Sequence, residues 1–259
     1  MRPLVDTHCH LGHHFTLDVA AQLHAAREAG LTLMVDVGTD VGSSRAPVTN
    51  AAAEPDVWAA VGLHPNDAGA ASDAVLAELD TLAAAPRVVA VGETGLDRYR
   101  DTATPEEQER AFRAQIDIAR RHDRAIVVHC RDAWDACVTV LEDEGMVGPD
   151  ARVVLHCYSG DVATTVRTVG NGWFHSFAGN VTFTNAAPLR EVAGLVPDAL
   201  LLTETDAPYL TPHPHRGRPN DPSFVALTLE RLAAVRGTDP DDLAGTVLAN
   251  ARRAFALPG

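Results

Sequence analysis

The chain has 259 residues, 46% of them hydrophobic, and a formal net charge of -14. That length suits one large α/β domain or two small ones, with apolar residues enough for a sizeable core. The acidic balance argues against non-specific binding along a duplex, and the lack of any apolar run of about 18 residues argues against a membrane span.

Met1-Arg2-Pro3 leads straight into an apolar run, which leaves no room for a signal peptide, so a cytoplasmic protein is expected. The chain contains no lysine, so all 21 basic residues are arginine. This excludes a Schiff-base lysine, a P-loop lysine and a carbamylated-lysine metal bridge. Cys9, Cys130, Cys137 and Cys157 form no CxxC pair and are expected to be reduced core residues. Three of them directly follow a histidine, and strand alternation would turn them to the face opposite it.

Short β-branched runs alternate with Ala- and Leu-rich helical segments along the whole chain. Val5 opens the first strand, followed by a helix from about Thr16 to Ala29 that Gly30 stops. Leu31 to Val37 is the second strand, with a short helix near Arg45 to Ala53. Val57 to Leu63 is the third, with a helix from about Ser72 to Ala84. Val88 to Val91 is the fourth and runs into Gly92-Glu93-Thr94-Gly95-Leu96-Asp97. Thr104-Pro105-Glu106-Glu107 is a strong helix start, and that helix should bury Phe112, Ile116 and Ala119. Ala125 to Val128, Val153 to Leu155, Phe174 to Phe177 and Leu200 to Leu202 supply the remaining strands, each followed by a helix. Asp239-Pro240 opens a final helix. Eight strand–helix units with no linker predict an α/β fold: a single (β/α)8 TIM barrel over residues 1–259 with a C-terminal extra helix. A doubly wound open sheet is the competing architecture.

In such a barrel the active site lies at the C-terminal strand ends. His8 and His10 follow the first strand, and one strand face carries both. His64 follows the third strand, Glu93 the fourth, His129 the fifth, His156 the sixth and Asp206 the eighth. Each alone is compatible with a hydrogen-bonded core group or a helix cap. Barrel closure would bring them to one mouth, where divalent cations relieve the repulsion between carboxylates. This constellation predicts a metal centre, and its inventory exceeds one four-coordinate site. Two ions sharing a carboxylate fit it, with Glu93 the natural bridge.

The stretches Asp6-Thr7-His8-Cys9-His10, Gly62-Leu63-His64-Pro65, Gly92-Glu93-Thr94-Gly95-Leu96-Asp97, His129-Cys130-Arg131-Asp132, His156-Cys157-Tyr158-Ser159-Gly160 and Thr203-Glu204-Thr205-Asp206-Ala207-Pro208-Tyr209-Leu210 stand in the order found in one family. On these the chain resembles the TatD-type metal-dependent deoxyribonucleases of the amidohydrolase-like barrels. The resemblance implies hydrolysis of phosphodiester bonds, usually of DNA. It implies one metal at His8, His10, Glu93 and Asp206 and a second at Glu93, His129 and His156, the ions being Mg, Mn or Zn. His64 would then position substrate phosphate or water. Arg131 is a candidate phosphate contact, or else a surface arginine paired with Asp132 or Asp135. Arg98, Thr184 and His215 depart from the family pattern, which bears on substrate choice and not on metal binding.

The expected function is therefore a metal-dependent hydrolase that cleaves DNA, as an exonuclease on single-stranded ends, by two-metal activation of water. Asp206 and Glu93 are its expected catalytic residues. The acidic charge favours short ends over long duplex, and no protein partner is evident. An ester or amide hydrolase on the same site, such as an aminoacyl-tRNA deacylase, is the alternative. A metal-loaded binding scaffold is the non-enzymatic reading, which an intact ligand set opposes.

Overall fold

A computed structural model describes residues 2–13, 18–148 and 150–258. Eight parallel strands lie in sequence order in one sheet: β1 (Leu4–Cys9), β2 (Leu31–Val37), β3 (Val57–Val61), β4 (Val88–Asp97), β5 (Ala125–Arg131), β6 (Val153–Leu155), β7 (Phe174–Phe177) and β8 (Leu201–Thr203). Past β8 the chain returns to β1. His10 N–H donates to the Ala207 carbonyl and Asp206 N–H to the His8 carbonyl, both at 2.9 Å. Thr203 Oγ1 also donates to the Val5 carbonyl at 2.9 Å. These bonds bring the last strand back to the first, and the architecture is the (β/α)8 barrel rather than an open sheet. β1, β4, β6, β7 and β8 are buried along their whole length, as parallel strands covered on both faces must be.

The helices are α1 (Val19–Ala29), α2 (Val41–Ala53), α3 (Asp73–Ala83), α4 (Pro105–Arg121), α5 (Trp134–Asp143), α6 (Val162–Gly170), α7 (Ala187–Leu195), α8 (Val225–Arg236) and α9 (Pro240–Ala254). The ninth is the extra C-terminal helix. Asp18 caps α1 through the Ala21 N–H, and Gly30 ends it at φ 99°. The start expected at Thr16 lies outside the described residues. A reciprocal Asp40–Ser43 capping box starts α2 at Val41, four residues before the expected position. Thr104 and Glu107 form the same motif at α4.

The fourth strand does not stop at Val91 but continues to Asp97. Gly95, at φ 139°, lies so close to β5 that an added Cβ would sit 2.0 Å from the His129 carbonyl oxygen. That approach lets β4 carry Glu93 and Asp97 beside His129. On α4, Phe112, Ile116 and Ala119 are buried as expected, and so are Gln108 and Gln115. Gln115 donates to the Leu63 carbonyl at 3.0 Å and accepts from its N–H at 2.7 Å. Gln108 accepts from the Asp97 N–H and donates to the Asp97 carbonyl, both at 2.9 Å. The two amides thus tie the exits of β3 and β4, just where His64 and Asp97 leave the barrel. Trp173 is fully buried, whereas Trp58 and Trp134 pack partly buried against the core. Among the described residues no helix is long and apolar enough to cross a membrane.

Candidate metal centre

His10, His64, Glu93, His129, His156 and Asp206 line a cavity of about 610 Å3 at the C-terminal strand ends. His8 is fully buried, with its ring stacked on His156 at 3.5 Å. All seven residues that the strand ends were expected to gather are therefore together. Their donor atoms fall into three groups: His8, His10 and Asp206; His8, Glu93 and His156; His64, Glu93 and His129.

Glu93 is the hub. Its Oε2 lies 3.4 Å from His8 Nε2, and its Oε1 lies 2.8 Å from His129 Nδ1, 3.5 Å from His64 Nε2 and 3.6 Å from His156 Nε2. Asp206 Oδ1 lies 3.6 Å from His10 Nε2, 3.9 Å from His156 Nε2 and 4.0 Å from His8 Nε2. Burial alone would raise the Glu93 carboxyl, but His156, His64 and His129 outweigh it and hold it well below its usual range. Burial likewise opposes ionisation of Asp206, and its contacts with His10, His156 and His8 bring it below the usual value. Both groups are thus carboxylates at neutral pH.

The outer nitrogens of the rings separate them into two kinds. His10 Nδ1 donates to the Val37 carbonyl at 2.7 Å, so its Nε2 presents a lone pair inward. Asp97 Oδ2 lies 3.1 Å from His129 Nε2, which leaves Nδ1 facing Glu93. Glu204 Oε1 lies 2.8 Å from His156 Nδ1, off the line of an N–H bond, and Cys157 N–H also donates to it at 2.8 Å. His64 has the opposite polarity: Asn66 N–H donates to its Nδ1 at 3.1 Å. A neutral His64 therefore carries its proton on Nε2 and is a donor toward the cavity. Burial lowers His129 and His156, but the carboxylates around them raise the first to about 9 and the second to about 10.

His8 fits a cation best. Its ring is 0% exposed, and neither nitrogen has a hydrogen-bond partner. Its Nε2 nonetheless points at two carboxylates. A buried unpaired imidazole is costly, and a cation held by His8 together with Glu93 and Asp206 would remove that cost. Burial, with His156 alongside, lowers its pKa and keeps it neutral, the state a ligand needs.

Sequence reasoning assigned no role to Glu204, Asp97 or Asp6. All three sit in strand-end motifs, but their contacts are tertiary. Asp6 is fully buried, accepts from the Thr205 hydroxyl at 2.5 Å and Thr205 N–H at 2.9 Å, and is pushed by burial to about 8. It orients the turn that carries Asp206. Arg131 lines the cavity and lies with its guanidinium 3.6 Å over the exposed ring of Tyr99. It pairs with neither Asp132 nor Asp135. Arg98, the departure beside it, donates to Gln108 Oε1 at 2.7 Å.

Of the cysteines set after histidines, Cys9 does face away, its thiol 3.5 Å from the Val35 carbonyl. Cys130 faces away as well, its thiol against that of Cys137 on α5, whereas Cys157 lines the cavity. β6 ends at Leu155 and Cys157 adopts φ 44°, so strand alternation no longer governs it. The four thiols are free; three are buried and Cys157 is half-buried.

Comparison with known proteins gives the same family. The family model described as TatD related DNase matches residues 5–256. An uncharacterized metal-dependent hydrolase TatD from Mycobacterium tuberculosis is 43% identical over 98% of both chains. A 3'-5' ssDNA/RNA exonuclease TatD from Salmonella typhimurium is 38% identical over 93% of this chain and 92% of its own. Among solved structures, the YJJV TatD homologue from Escherichia coli superposes with a TM-score of 0.90 at 30% identity, covering 98% of each chain. The chain belongs to the TatD family of metal-dependent hydrolases, enzymes acting on ester bonds.

Proposed function

We propose that this enzyme hydrolyses phosphodiester bonds at the ends of single-stranded nucleic acid, with two divalent cations held across Glu93. The observation that carries the reading is the orphaned His8 imidazole between two ionised carboxylates. The name of the Salmonella relative supports both the substrate class and attack from the 3' end.

His8, His10, Glu93 and Asp206 would hold one ion, and Glu93, His129 and His156 the other. Bound there, the cations supply Lewis-acid polarisation of the phosphoryl group and lower the pKa of water in the site. Asp206, partly open to the cavity, accepts the proton of the attacking water on a carboxylate oxygen. His64 donates its Nε2 proton to a non-bridging phosphate oxygen, a role its bond from Asn66 prepares. Arg131, held flat against Tyr99, offers its remaining N–H groups to the charge that builds on phosphorus. Arg100 also lines the cavity. Two arginines at the mouth of a chain with net charge -14 suit a short terminal segment better than a long duplex.

The test is cleavage of a short single-stranded DNA, labelled at either end, by metal-stripped protein with Mg2+, Mn2+ or Zn2+ restored. Metal-dependent laddering from the 3' end is expected. Folded, metal-loaded protein that releases no nucleotide from DNA or RNA would overturn the reading and turn attention to aminoacyl esters and amides.

A further inference from the structure

We propose that a second cavity, between α6 and α7, receives the terminal nucleobase of the strand cut at the metal centre; this rests on the nuclease reading above. The cavity measures about 380 Å3 and adjoins the first through Ser159, which lines both. Its volume falls in the roughly 300–1,000 Å3 range of small-ligand sites. Val162 on α6 and Pro188, Leu189 and Val192 on α7 form aliphatic walls. Val162, the first residue of its helix, is 43% exposed, so this apolar surface is presented to solvent beside the reactive centre.

Charge sorts the two cavities. Arg100 and Arg131 line the first beside Asp67, Glu93, Asp97 and Asp206, whose charge the cations held there would offset, whereas the second is lined by Asp161 and Glu191 and by no arginine among the described residues. With the cations in place a phosphate is drawn to the first and repelled from the second. A flat heterocycle with apolar faces suits the second, and the Asn185 amide there can donate to and accept from a base edge. Every base has such faces, so the site gives little sequence preference. It does demand an unstacked, unpaired base, which selects frayed or single-stranded ends.

Two variants test this without touching the metal centre. Val162→Asp puts a carboxylate on the apolar wall at a helix position where an acid is favourable. Asn185→Trp, in an exposed loop, fills the cavity with no change of charge. Each is assayed, after a melting curve shows it folded, on three substrates: an oligonucleotide with a normal terminal base, the same strand with an abasic terminus, and bis(4-nitrophenyl) phosphate, which has no base. Both variants are expected to lose about tenfold in kcat/KM on the first, mainly through KM, and to leave the other two unchanged. Wild type is expected to prefer the base-bearing end by a similar factor. Equal cleavage of base-bearing and abasic ends by wild type, or variants that lose all three substrates together, would overturn the subsite. Wild type that hydrolyses the aryl diester but no oligonucleotide would instead overturn the nuclease reading, and the subsite with it.

Discussion

Asp206 carries backbone and chemical demands at once. Its φ of 55° is in the left-handed region, which aspartate and asparagine tolerate better than most residues, and its N–H is anchored on the His8 carbonyl. Asp206→Asn therefore keeps the shape of the turn and removes the proton acceptor. The expected outcome is a fall in kcat of about 100-fold or more with a nearly unchanged melting temperature. Steady-state kinetics beside a thermal melt checks this, and near-normal turnover would remove Asp206 from its role. His64 calls for a truncation instead. His64→Ala removes the donor toward the cavity without removing a proposed ligand, so kcat should fall while metal content stays at the wild-type value; loss of an ion would make His64 a ligand.

At the scale of elements, α4 holds the β3 and β4 exits through its two buried glutamines. Gln115→Leu fills a similar volume but leaves the Leu63 N–H and carbonyl without their partner. A destabilisation of about 2–4 kcal/mol is expected from chemical denaturation, together with a fall in activity as His64 loses its support. β7 carries a separate pH effect. His175 is fully buried with Nε2 2.8 Å from Thr168 Oγ1, and burial lowers it to about 3 against a backbone contact from Trp173 that raises it. An unfolded histidine titrates near 6.5. As pH falls from about 6.5, the unfolded chain takes up a proton that the native chain refuses until about pH 3. The stability that this residue contributes is complete above pH 6.5 and is lost on the way down to 3. Wild type should lose stability more steeply than His175→Gln across that window, and parallel curves would contradict the assignment.

The strands and most helices were legible in the sequence because buried parallel strands are continuous apolar runs and the helices have caps. β4 was read as ending at Val91 because Gly92 to Asp97 looks polar, and only the close pass against β5 makes it strand. Gln108 and Gln115 sit on an apolar helix face, yet nothing local says that a glutamine there meets a strand exit. The seven strand-end groups were legible because barrel closure needs only the order of elements. Glu204 and Asp97 were not, since each acts on a histidine from another strand. Cys157 was misplaced because alternation was extended past the end of β6.

For the whole molecule, barrel closure converts seven dispersed residues into one cavity, and the charge distribution decides what enters it. With Arg100 and Arg131 the only arginines lining it among the described residues, binding of single strands should depend weakly on salt, with a log–log slope of roughly -1 to -2. Fluorescence titration across a range of salt concentrations measures it; a slope several times steeper would mean a long basic track elsewhere on the surface. The central claim is that Glu93 joins two ions in one centre. Metal content per chain, measured on dialysed wild type, Glu93→Gln and His129→Ala after a melting curve shows each folded, tests it most directly. The account predicts two ions in wild type, one in His129→Ala and neither held tightly in Glu93→Gln. A single ion in wild type, or two retained without the Glu93 carboxylate, would contradict it.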